Sequence, residues 1–236
     1  MPKLLILLLF FPFARVAGQL PDTLNINTVQ ATDSLISIYF AAQKGNSPLY
    51  NGRQFYSYSS SIQGHPFYNV TKWSNGAVLY DGLWYHNIPL LYDISRDELI
   101  VNHPSNIPAV LFSERVSQFI INGEVFVYLR EDKKGIIQKG FYQLLQDGKA
   151  VLYKKSFKLL EEKIEDRQLI RQFVLTEKFF VRKNEEYRPV KRQKDLLDIL
   201  KDKSQALNEY KNQHNLRYKG NAEKFIVSLT QYYNQL

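Results

Sequence analysis

Residues 76–101 read GAVLYDGLWYHNIPLLYDISRDELIV, and the fold follows from how this stretch is divided. Residues 77–80 are apolar, Asp81-Gly82 is a two-residue hairpin turn, and residues 83–85 answer the first run. Asp and Gly matter here because a type I′ turn needs positive φ at both central residues. His86-Asn87 predicts a second reversal, residues 88–93 a third strand, and residues 98–101 a fourth. Strands so close in sequence leave no room for a crossover helix, so they pair antiparallel as a meander. Pro89 has no amide proton to give a ladder, which places it at a strand start or on an edge.

The same signature recurs downstream. Residues 110–112 and 116–121 are strand-like, and Asn122-Gly123 turns the chain into residues 125–129. Residues 141–145, Asp147-Gly148 and residues 150–153 form a third Asx-Gly hairpin. Residues 179–182, a turn over Asn184-Glu185, and residues 187–190 predict a last one. Residues 155–171 are heavily charged, and helix, extended strand and loop all stay open for them. After Pro189 the apolar period changes to that of helices. Asp195 is placed to cap one over residues 196–200, Ser204 one reaching His214, and Asn221 a last one. Phe225, Leu229, Tyr232 and Tyr233 share one face of that last helix. Helices this short need a surface to pack on. The expected fold is therefore α+β but mostly β: an antiparallel meander curved into a sandwich or a partly open barrel. A β-rich domain over 19–190 carries a small C-terminal helical subdomain over 191–236.

Upstream, residues 19–32 are a polar lead-in. Asp33 is placed to cap a short helix through DSLISIYFAAQ, with a strand as the alternative, and residues 45–48 form a turn. Residues 1–18 have the pattern of a signal peptide. Lys3 precedes an unbroken apolar run, LLILLLFFPFA, that is too short to span a bilayer, which takes roughly 20 residues. Arg15 and Val16-Ala17-Gly18 follow, with predicted cleavage leaving Gln19 first. The expected location is the periplasm or cell envelope. The chain has no cysteine, which excludes disulfides, a thiol nucleophile, a thiolate zinc site and a cysteine lipid anchor.

The formal charge is +8, and the signal segment contributes Lys3 and Arg15 with no acid, leaving +6. Residues 19–150 hold 10 Lys+Arg against 11 Asp+Glu, whereas residues 151–236 hold 19 against 12. The basic character belongs to the C-terminal part. For an exported chain this suits an anionic membrane surface or an acidic glycan; nucleic acid is not expected as a partner. The patch Lys191, Arg192 and Lys194 is its densest point beside a predicted helix start.

Chemistry-bearing motifs are sparse. No Gly-x-Ser-x-Gly elbow and no glycine-rich phosphate cradle occurs, and Ser57, Ser59, Ser60 and Ser61 lack a glycine frame. His65, His86 and His103 have no metal-binding spacing, so no metal and no cofactor is expected. Asp81 and His86 flank one hairpin arm. Asp93, Asp97 and Glu98 cluster in one reversal, where bonding to nearby amides, with Arg96 as charge partner, competes with acid–base or calcium chemistry. Aromatics make up 14% of the chain. Tyr56, Tyr58, Trp73, Trp84 and Tyr85 are the candidate ligand-binding set, against the alternative that strand aromatics fill the core.

The segments LYNGRQFYSY, GHPFY, the 76–101 stretch, GFYQLLQDGKAVLYKK and LRYKGNAEKFIVSLTQYYNQL together resemble a group of exported proteins of the Bacteroidota to which no activity is assigned. The likeness runs from about Leu49 to Tyr233 and rests on turns and strand aromatics. It implies an envelope location and carries no residue roles. The leading expectation is a non-catalytic envelope protein that binds a partner, or an apolar or glycan ligand, through its aromatic-rich β region. A hydrolase with dispersed carboxylate or Ser/His residues is one alternative. A structural or assembly protein held near anionic surfaces is the other.

Overall fold

A computed structural model describes residues 47–236; the signal segment, the lead-in and the element expected after Asp33 lie outside them. Strand β1 is Arg53–Gln54, and β2 (Ser74–Tyr80) and β3 (Leu83–Asp93) make the first hairpin. Strands β4 (Glu98–Asn102), β5 (Pro108–Val110), β6 (Val116–Ile121), β7 (Glu124–Leu129) and β8 (Gly140–Gln146) follow. Two sixteen-residue strands, β9 (Ala150–Glu165) and β10 (Gln168–Lys183), precede β11 (Glu186–Val190). Helices α1 (Gln193–Ile199), α2 (Ser204–Gln213) and α3 (Ala222–Gln235) end the chain. All the strands join one antiparallel sheet in the order β1-β5-β4-β3-β2-β6-β7-β8-β9-β10-β11. The α+β meander with a C-terminal helical subdomain is as the sequence predicts.

Turn chemistry sets the hairpins. Asp81 and Gly82 adopt φ of 51° and 78°, and Asn122 and Gly123 adopt 54° and 78°, the double left-handed geometry of type I′. His86-Asn87 differs from expectation: β3 runs straight through it. Ile88 pairs with Gly76 and His86 with Ala77, so Asn87, at φ 56°, is an extra residue in a β-bulge. Asn tolerates that φ, and a bulge kinks a strand without reversing it. Pro89 likewise sits inside β3, one residue before the β3–β4 ladder begins at Leu90. Gly76 faces the bulge because nothing larger fits: a Cβ there would stand 2.2 Å from the Ile120 carbonyl oxygen.

The sheet is rolled. Tyr92 on β3 and Phe141 on β8 are four ladder steps apart, which in a flat sheet is about 19 Å. Their ring centroids are 5.8 Å apart. Between them lie Phe119 and Phe126, stacked at 4.8 Å, with Tyr92 edge-on to both at 5.2 and 5.3 Å. Each such pair adds about 0.5–1.5 kcal/mol beyond area burial. Leu90, Leu99, Val78 and Tyr80 complete this core. The roll is fastened where the corner after β3 meets β9: the Lys158 amide donates to the Ile94 carbonyl at 3.2 Å.

Beyond the roll, β8 to β11 carry a second core under the helices, with Leu152, Val181, Leu196, Leu200, Phe225 and Leu229 fully or almost fully buried. Both ends of α3 are tied to β9. Asn234 accepts from the Ala150 amide at 2.8 Å and donates back to its carbonyl at 2.9 Å. Lys154, buried under the helix, reaches Glu223 at 3.1 Å and Glu177 at 3.5 Å. Asn221 caps α3 as expected, accepting from the Lys224 amide. Asp195 departs from expectation. It is the third residue of α1, and its carboxylate accepts from the Lys191 and Arg192 amides one turn back.

Asp97 spans the roll. It accepts from the Tyr92 hydroxyl at 2.5 Å, the Phe141 amide at 3.2 Å and Lys155 Nζ at 2.7 Å. Lys155 also donates to the Phe141 carbonyl at 2.9 Å. Burial lowers the Lys155 pKa, and Asp97 opposes that shift. Asp97→Ala should therefore cost roughly 3 kcal/mol, the scale for leaving a buried charge unpaired. Adding Lys155→Met should recover most of it in urea titrations, and a double variant as unstable as the single one would contradict this.

Candidate functional site

The expected aromatic site does not assemble as one surface. Tyr85 is buried in the rolled core and Tyr56 is 67% exposed. Trp84 stacks on His86 at 5.8 Å, near the β2–β3 turn. Trp73 precedes Ser74, whose partner is Leu90, at the far end of the same hairpin from Trp84, whose partner is Leu79. Tyr58 lies by the β3–β4 corner. It donates to Asp93 at 2.9 Å, sits under the Arg96 guanidinium at 4.0 Å and meets Phe173 edge-on at 5.1 Å. The interior between the strands is occupied by Tyr92, Phe119, Phe126 and Phe141.

The carboxylates divide between two ends of the sheet. Asp81 is held by Arg115, with Nε at 2.8 Å from Oδ1, while His86 is exposed and faces Trp84. At the other end, Asp93 Oδ1 accepts from the Ser95 and Arg96 amides at 2.9 and 3.0 Å. This is the turn-shaping role the sequence offered. Asp97 does something else, reaching across to β8 and β9. Glu98 pairs with Arg53. Among the described residues, no group of three or more His, Asp or Glu side chains converges as metal ligands would. Each carboxylate in the corner is engaged by the turn, by a tyrosine or by a cation, although the second Glu98 oxygen is buried without a hydrogen-bond partner.

A cleft of about 560 Å³ opens where the β10–β11 turn meets the helices. Lys183 crosses its floor to Asp202 and to the Ile199 carbonyl, and the Tyr233 hydroxyl donates to the same carboxylate at 2.9 Å. Around it stand Lys149, Arg188 and Lys201, together with Glu186 and Asp198. The expected basic patch lies nearby and is solvated: Lys191, Arg192 and Lys194 are exposed, with Arg192 bonded to Asp195 at 3.1 Å.

The feature the sequence left open is the most exposed apolar surface described. Residues 155–171, for which three conformations were open, form the outer part of the β9–β10 hairpin. Its turn is Asp166-Arg167, at φ 47° and 65°. The hairpin is clamped at its base. On the β10 side the Gln63 amide donates to the Arg171 carbonyl at 2.8 Å, and the Phe173 amide returns to Gln63 at 3.1 Å. On the β9 side the clamp is the bond from Lys158 to Ile94. Past these points the arm meets no other described element, with Ile164 77% exposed, Leu169 58%, and Leu159 and Leu160 about half exposed. Ile164 pairs with Leu169, and Leu160 with Phe173, on one face. An isolated two-stranded ribbon is marginal in water, and exposed contiguous aliphatics mark contact surfaces.

The Asp93 carboxyl is fully buried, and that burial pushes its pKa up against its hydrogen bonds. A raised folded pKa means the unfolded chain releases the proton first, so stability falls as pH rises through the window above 3.8 and then levels. Asp93→Asn keeps an oxygen for the Ser95 and Arg96 amides and removes that titration. Urea midpoints from pH 3 to 7 should show wild type losing stability relative to the variant with rising pH; parallel curves would refute it. Comparison with known proteins returned no match: no family model, no curated protein and no solved structure is significantly similar to the chain.

Proposed function

We propose that this chain is a non-catalytic protein of the cell envelope that recognises a macromolecular partner through its surface, chiefly through the β9–β10 arm. The observation that carries this is the arm itself: a clamped, projecting hairpin whose apolar side chains have nothing to pack on among the described residues. Two further observations support it. The rolled core is filled by its own rings, which argues for surface contact over enclosure of a small apolar or glycan ligand. The carboxylates of the corner are committed to structural bonds, which argues against the hydrolase alternative. The envelope location is part of the proposal and rests on the signal-peptide pattern and on the resemblance to exported Bacteroidota proteins.

A photo-activated cross-linking side chain at position 164 tests the reading in cells of the source organism. A discrete covalent adduct is expected from position 164 and none from position 191, which is exposed but lies away from the arm. Equal labelling at both positions, or no adduct at either, would sink it.

The exposed cations of this region support a second reading, the anionic-surface role. Lys149, Arg188 and Lys201 around the cleft, with Lys191, Arg192 and Lys194 beside it, would attract anionic lipid through a field screened over about 8 Å at physiological salt. Association with anionic vesicles should then weaken as salt rises, and reversing Lys191, Arg192 and Lys194 to Glu should weaken it further. Binding indifferent to salt would remove this reading.

A further inference from the structure

We propose that the outer edge of β9 pairs with the same edge of a second copy of this chain, antiparallel and two-fold symmetric about Glu162. The inference deepens the surface-recognition reading above and rests on it. It starts from the backbone. In an antiparallel ladder, residues alternate in pointing both backbone groups to one side. Lys158 points its amide outward from β9, to Ile94, so Leu160, Glu162 and Ile164 point theirs outward too. Among the described residues no strand lies on that side: the β8–β9 ladder ends at Lys154. Six strong hydrogen-bonding groups thus form an unpaired edge, the feature that templates strand addition.

The free window runs from Leu159 to Glu165, between the Ile94 clamp and the Asp166-Arg167 turn. Its midpoint is Glu162. Pairing two such windows in full requires the register centred there, and that register places Lys158 opposite the partner's turn, where β9 leaves its own clamp. Shifting by two residues in one direction drives the partner into the Ile94 contact; shifting in the other runs it off the turn.

The side chains favour the same register. Leu160 would face Ile164 of the other copy, twice, on the face that already carries Leu169 and Phe173. Glu161 would face Lys163 of the other copy, twice, on the opposite face. Opposite charges and apolar pairs directly across strands are favourable, and like charges unfavourable. The two Glu162 side chains meet at the axis, and each is already bonded to Arg171 of its own β10 at 2.8 Å. Charged residues along an edge deter indiscriminate strand addition; here they also select one partner edge, their own. A lipid bilayer is disfavoured as the occupant because charges of both signs surround the apolar tip: Glu161, Glu162, Glu165 and Asp166 with Lys163, Arg167 and Arg171. The product is a four-stranded ribbon, β10-β9-β9-β10, in place of two isolated hairpins.

The chain has no cysteine, which makes the test direct. Directly hydrogen-bonded antiparallel partners have Cα atoms about 5.5 Å apart, within the span of a disulfide. Glu162→Cys should form a disulfide-linked dimer on mild oxidation, and Glu165→Cys, whose copies lie far apart in this register, should not. Sedimentation velocity should show a dimer, its dissociation constant raised about tenfold or more by Lys163→Glu and restored by adding Glu161→Lys. Circular dichroism of each variant should match wild type, since these side chains are on the exposed arm. A monomer at the highest soluble concentration overturns the proposal, as does a dimer indifferent to the charge changes or cross-linked equally at both cysteines. A monomer whose position 164 still forms an adduct with a different protein overturns self-pairing alone; a monomer with no adduct sinks surface recognition as well.

Discussion

Rolling a wide antiparallel sheet brings together residues that the ladder alone keeps apart, and something must hold the far strands against each other. In this chain Asp97 does so. It leaves the β3–β4 corner and satisfies a tyrosine hydroxyl, a backbone amide and a lysine that come from β3, β8 and β9. Gly140 lets it approach, since a Cβ there would lie 2.0 Å from the Asp97 carboxylate. With the corner fixed, Ile94 meets Lys158, the strap from Tyr58 to Phe67 lies along the base of the arm, and the rings of the core close on one another. The electrostatic contact is small in area. Its effect is on register: it selects which part of β9 faces the corner, and so where the supported part of β9 ends and the projecting part begins.

What the sequence revealed follows how local each signal is. The hairpins turning at Asp81-Gly82 and Asn122-Gly123 were legible because two residues state the required φ. The arm was not, because its turn is Asp166-Arg167. Arg enters the left-handed region without glycine's freedom, so no composition rule marks it. Asn184-Glu185 is similar, but apolar runs close on either side revealed it. His86-Asn87 was misread as a reversal because Asn at positive φ serves turns and bulges alike, and only the partner strand distinguishes them. The curvature of the sheet was expected, but the contacts that fasten it were not legible, since they join residues some sixty apart, as Ile94 to Lys158.

The candidate residues fared according to the same logic. Asp93 was legible as a turn-former because the amides that donate to it lie two and three residues on. Asp97 looked identical in sequence and does a different task, because the amide it meets belongs to Phe141. The aromatics divided between core and surface along the strand alternation, with Tyr85 inward and Trp84 outward. Their density in sequence reflected a filled interior more than a shared binding face.

The strand order has a consequence for how the chain reaches this state. β2 lies mid-sheet with β3 on one side and β6 on the other, and β3, β4 and β5 all come between β2 and β6 in sequence. The first meander can zip by local contacts, which form quickly. Until residue 121 has emerged and β6 has docked, the other edge of β2 is open. A chain emerging in order from its N-terminus would therefore pass through a half-sheet with an apolar strand exposed, the kind of intermediate that aggregates unless it is shielded. The vulnerable interval lies in the folding of the β2 edge, well before the arm is made.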